Sequence, residues 1–188
     1  MNSMTVREFF KKLNGMAGAR VSLDTYADSI MHKTREDKFF REEYLPISAV
    51  LHYLKIPLSD QIELGNETEP WDALISGSYI LEITQALPKE EHKVRCKIPA
   101  GLDLNTFINH ASDAKQFPGV IIDAINKKVQ KGYADERILA VVVSGDYTME
   151  DDGVINSWIP QIQAESSQGN FTEILLVERD RHKVFKIF

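Results

Sequence analysis

A single cysteine, Cys96, stands among 188 residues. It excludes an internal disulfide and any cysteine-rich zinc site. No apolar run comes near the roughly 18 residues that a membrane span needs. The opening stretch, MNSMTVREFFKKLNG, lacks the apolar core of a secretory signal. These absences favour a cytoplasmic protein with no membrane partner. The five histidines, His32, His52, His92, His110 and His182, form no HExxH and no close His/Cys pair. The glycine patterns of dinucleotide sites, of P-loops and of serine-hydrolase elbows are all missing, so those chemistries lack support. Positive charge is also short. Lys and Arg number 22 against 28 Asp and Glu, a net charge of −6. Proteins that track phosphates over a wide surface usually carry the opposite sign, so any contact with nucleic acid has to be local.

What is present is ordinary in bulk: 43% apolar and 27% charged residues, in a length that suits one domain with a real core. No repeat or linker divides residues 1–188. The apolar spacing of Val6, Phe9, Phe10 and Leu13 predicts a helix over 5–14. A second helical stripe, Phe40, Tyr44, Ile47, Leu51 and Leu54, runs through 34–55, with Pro46 placed to kink or split it. Three strands are expected at 60–64, 71–75 and 78–87, the last two joined by Ser76-Gly77-Ser78 as a hairpin. Residues 89–98 suit helix or strand equally, and 104–112 suit a short helix. An amphipathic helix follows over 118–133, capped by Gly132. RILAVVVSG (137–145) reads as a strand buried on both sides. A helix over 150–163, with Pro160 a break point, then leads to strands at 171–178 and 182–188, the last of them an edge. This order implies an α/β fold, a three-layer sandwich with a central mixed sheet.

Two acids stand out in the hairpin. If 71–75 pairs with 79–86 around the turn, Asp72 falls opposite Glu82 on one face. Like charges so placed repel, and a divalent cation between them removes the repulsion. Mg²⁺ needs only one or two carboxylates plus neutral oxygens, and the Ile83 carbonyl is a candidate third ligand. The same acids are also compatible with a solvent-facing strand, because a one-residue slip separates them.

PWD (70–72) and EIT (82–84), ten residues apart, resemble the two half-motifs of the PD-(D/E)xK, or restriction-endonuclease-like, nuclease superfamily. The resemblance covers about 34–145. It leaves 1–33 as an N-terminal helix and loop, and 146–188 as a helix plus two-strand extension. It implies an αβββαβ core and a Mg²⁺ or Mn²⁺ ion on Asp72 and Glu82. The implied activity is metal-dependent hydrolysis of DNA or RNA phosphodiesters. It further implies an acid from the first helix, Glu43 before Glu42 or Glu36. The motif lysine is replaced by Thr84 and then Gln85, whereas some family variants place Gln there or take a basic residue from a neighbouring helix. Gln85 and Lys128 are the candidates to orient the attacking water. Lys128 shares the stripe of Ile121 and Ile125. Lys127, Lys128 and Lys131 also suit a solvated basic face near a helix C-terminus. A protein that keeps this fold for binding and has lost catalysis is the alternative, favoured by the missing lysine and the acidic charge. The apolar edge KVFKIF offers pairing to a second copy, hence a homodimer.

Overall fold

Strand β1 (Asn2–Thr5) precedes the first helix, α1 (Val6–Gly18). Thr5 starts that helix with a reciprocal cap. Its Oγ1 accepts the Glu8 amide N–H at 3.2 Å, and Glu8 Oε2 accepts the Thr5 amide N–H at 2.7 Å. These bonds hold the exposed Glu8 carboxyl below the ordinary carboxylate range. The structure, a computed structural model, describes residues 2–18, 39–66, 69–87, 117–143, 152–178 and 182–188. The expected segments at 89–98 and 104–112, together with Cys96, His32, His92, His110 and Glu36, lie outside the described residues.

Pro46 does not split the second helical stripe but stands where the helix changes type. A π-helical turn over Phe40–Tyr44 runs straight into α2 (Leu45–Tyr53), with the proline in the first turn of the latter. Proline has no N–H for the carbonyl four residues back, which here is that of Glu42. The side-chain amide of Gln85 donates to this oxygen at 3.3 Å. A strand residue thus ties the helix irregularity to the sheet.

The strands follow as β2 (Gln61–Leu64), β3 (Ala73–Ile75) and β4 (Tyr79–Gln85), an antiparallel meander to which β1 adds at the edge. Ser76 turns the hairpin at φ 54°, held by its hydroxyl on Asp60 at 2.7 Å. Helix α3 (Phe117–Val129) crosses back so that β5 (Arg137–Val143) joins β4 in parallel. Helix α4 (Asp152–Glu165) does the same for β6 (Phe171–Glu178), and β7 (Lys183–Lys186) closes the sheet antiparallel. Pro160 does not break α4, which runs continuously past it. Among the described residues the result is an open seven-stranded mixed sheet in the order β1 to β7.

Helices cover both faces, and residue alternation assigns the sides. Val6, Phe9, Ile47 and Leu51 from α1 and α2 pack on Ile62, Ala73, Leu81, Ile83 and Ile138. Ile121, Ile125, Ile155 and Ile162 from α3 and α4 pack on Leu139, Val141, Ile174 and Leu176. Every residue of β5 is buried, as its unbroken apolar run requires. The fold class expected from the sequence, α/β with a central mixed sheet and helices on both faces, is what the chain forms. Among the described residues no helix is long and apolar enough to cross a membrane.

Gln85→Leu removes the Gln85 hydrogen bond to the Glu42 carbonyl and should cost about 1 kcal/mol of stability, read from urea denaturation.

Candidate functional site

Alternation along β4 sends Leu81 and Ile83 to the α1/α2 side and Glu82 to the α3 side. Glu82 is 7% exposed, so an ionised carboxylate lies where an aliphatic side chain would otherwise pack. Three groups converge on it. Lys128 Nζ, from the last turn of α3, lies 2.5 Å from Oε1. The Tyr133 hydroxyl donates to the same oxygen at 2.8 Å. Arg137 Nη1, from the first residue of β5, lies 3.4 Å from Oε2.

Local structure delivers each of them. Ile121 and Ile125, both fully buried, fix the inward stripe of α3, and Lys128 continues it one turn on with a side chain 15% exposed. The helix then stops at Gly132, whose φ of 61° favours a residue without a Cβ, and whose N–H caps the Val129 carbonyl at 3.1 Å. That turn throws Tyr133 back under the helix end, where its ring meets Phe171 edge-on. The Arg137 guanidinium lies over the Tyr133 ring, 4.1 Å from its centroid. Burial, followed by the hydrogen bond to Glu82, holds the Tyr133 phenol well above its ordinary range, so it serves as a donor.

Asp72 stands at the head of the hairpin, one residue before β3. Its N–H donates to the Leu81 carbonyl at 3.0 Å, and its Oδ2 accepts the Ile83 N–H at 2.6 Å. The carboxylate therefore extends the ladder where the β3 backbone has ended. Gly65 permits this. Its N–H donates to the Asp72 carbonyl at 2.9 Å, and a Cβ there would lie 2.0 Å from the Trp71 carbonyl oxygen. Burial raises the Asp72 pKa. The Ile83 hydrogen bond opposes this, the charge of Glu82 adds to it, and Lys128 and Lys131 offset part. The two acids are thus electrostatic neighbours, as the hairpin register implies. Lys128, paired with Glu82, and Lys131 offset part of the repulsion between them.

The structure brings Asp72, Glu82 and Lys128 together with Ile83. In an antiparallel ladder a residue sends its N–H and its C=O to the same neighbour, so the Ile83 carbonyl also points to the Asp72 edge. Gln85 is not in this group. It lies on the other side of the sheet, with its amide on the Glu42 carbonyl. Glu43 is in the π-helical turn, and among the described residues no group of three or more acidic, His or Cys side chains is gathered to hold an ion. Tyr133 and Arg137 were missed from the sequence. The available signal for Arg137 was its place at the head of a strand buried on both sides, where a charge needs a counter-charge.

Hard oxygen donors at Asp72, Glu82 and Ile83 suit Mg²⁺ or Mn²⁺, provided Glu82 gives up one of its present donors. Glu82→Ala takes the carboxylate from the part-buried Lys128 and leaves the buried Arg137 with Pro70 and Asp135, and should cost about 3 kcal/mol in urea denaturation. Asp72→Asn should act in the opposite direction. A carboxyl whose folded pKa lies above its unfolded value binds the extra proton in the native state, so its destabilising effect grows as pH rises through that interval. The variant should melt above the wild type at pH 7 without metal, and the gap should close on acidification below the ordinary Asp range. Comparison of the chain with protein-family models, with curated proteins and with solved structures finds no match.

Proposed function

We propose that this chain is a nuclease-like phosphodiester hydrolase acting on DNA or RNA with Mg²⁺ or Mn²⁺, a divergent relative of the PD-(D/E)xK superfamily. The observation that carries the reading is the Lys128 ammonium, 2.5 Å from Glu82 and within electrostatic reach of Asp72. It supplies from α3 the cation that Thr84 does not. The connectivity agrees: helices, the β2–β3–β4 meander, a helical crossover and a parallel β5 give the order αβββαβ. Asp72, Glu82 and the Ile83 carbonyl are the residues that would hold the ion. When bound, the ion would polarise the phosphodiester and lower the pKa of a water.

The remaining work belongs to the chain. Lys128 is only partly exposed, so its charge acts through a poorly screened medium and favours an anionic phosphate beside Asp72. Its three donors can hold a water or a phosphate oxygen once Glu82 turns to the ion. Thr84 lies two residues beyond Glu82 on the same face and offers a hydroxyl at the same mouth.

A second reading, a binding protein without catalysis, is favoured by a separate observation. Lys128, Tyr133 and Arg137 already occupy both oxygens of Glu82, which makes the cluster self-sufficient as a structural element. One assay separates the two. Single- and double-stranded DNA and RNA are incubated with wild type, Asp72→Asn and Lys128→Met, in Mg²⁺, Mn²⁺ or EDTA. The hydrolase reading expects metal-dependent cleavage that falls by about 100-fold or more in each variant. Absence of cleavage on every substrate overturns it in favour of binding. Asp72→Asn is preferred to a Glu82 variant because it keeps the buried cations paired.

A further inference from the structure

Arg137 does more than pair with Glu82. Its guanidinium is buried, the residue being 4% exposed, and Nη1 donates a short hydrogen bond to the Pro70 carbonyl while lying 3.4 Å from Glu82 Oε2. Nη2 reaches Asp135 at 3.4 Å, and the flat face rests on Tyr133. Pro70 is two residues before Asp72, in the bend that leads into β3. One side chain from β5 therefore holds both the backbone that delivers Asp72 and the carboxylate of Glu82. In the sheet β4 lies between β5 and β3.

We infer that Arg137 is a positioning residue that clamps the Pro70–Asp72 segment to Glu82 and so sets the spacing of the two carboxylates. The inference rests on the reading of Asp72 and Glu82 as the working pair. Two features go beyond generic charge pairing. The contact to Pro70 is a backbone one, indifferent to the charge of either acid. Arg137 Nε is buried without a partner among the described residues, a local cost that a purely stabilising ion pair has no need to carry. Lysine cannot reproduce the clamp, because its flexible stem lacks the planar group whose Nη2 on Asp135 and face on Tyr133 hold Nη1 between Pro70 and Glu82.

The test compares Arg137→Lys with Lys128→Met. Both take one donor from Glu82, but only the first touches Pro70. The first readout is hydrogen exchange at the Ile83 amide, the group that Asp72 accepts from, referred to the Val141 amide in the core of β5. The second is Mn²⁺ affinity, followed by the paramagnetic signal of the free ion. Arg137→Lys should speed Ile83 exchange relative to Val141 by about tenfold and weaken Mn²⁺ by a similar factor, while Lys128→Met leaves the exchange ratio within about threefold of wild type. An unchanged ratio in Arg137→Lys overturns the inference, as does an equal rise in Lys128→Met. A loss of protection that Val141 shares is global destabilisation and also counts against it. If the wild type binds no Mn²⁺, the metal-dependent reading falls by itself, and the exchange ratio still decides the clamp.

Discussion

Glu82 puts a negative charge between β4 and the end of α3, where a leucine would otherwise sit. An ionised carboxylate with this little exposure is tolerated only when opposite charge and hydrogen-bond donors surround it. The lower end of α3, the turn at Gly132 and the first residue of β5 are all arranged to supply them. Removing Glu82 would leave a buried arginine and a part-buried lysine short of an acceptor. Removing one cation would leave the acid short of a partner. The parts are mutually dependent in a way that an apolar core at the same place would not be.

That dependence links elements distant in sequence. Lys128 and Tyr133 belong to the crossover between β4 and β5, Arg137 to β5 itself, and Pro70 and Asp72 to the approach to β3. Hydrogen bonds in this low-dielectric region are stronger than in water, and each geometry constrains the next. Chemically, the outcome is a pair of carboxylates at the open end of the β3–β4 hairpin with a lysine beside them. Such a group could engage a cation and a phosphate in turn. It could also stand as a closed knot that orders the sheet. The difference lies in whether Glu82 exchanges a protein donor for an ion.

The amphipathic periods of α1 and α3, the apolar runs of β5 and β6, and the hairpin turn were all legible, because each is a local pattern with a local cause. The N-terminal strand was not, since four mixed residues at a sheet edge carry no period of their own. Pro160 was overread. A proline in a well-packed helix is tolerated when Ile155, Trp158 and Ile162 on the same helix are buried. Gln85 was read as a site residue because variants of the resembled family place Gln near the missing lysine, but three steps along a strand from Glu82 reverse the face. Its partner, the Glu42 carbonyl, is set by a proline some forty residues away. Lys128 was legible as an anomaly on an apolar stripe, and its partner was not.

The sequence by itself determined the class of fold, the hairpin that carries Asp72 and Glu82, and the presence of a lysine on the inward side of α3. These follow from periods of two and of 3.6 and from turn chemistry, which act over a few residues. Only the tertiary structure decided which charges meet. Arg137 and Tyr133 reach Glu82 because a parallel crossover lays β5 beside β4, and Arg137 reaches Pro70 because its Nη1 lies between that carbonyl and Glu82. Those pairings depend on distances across the sheet, and no local pattern in the chain encodes them.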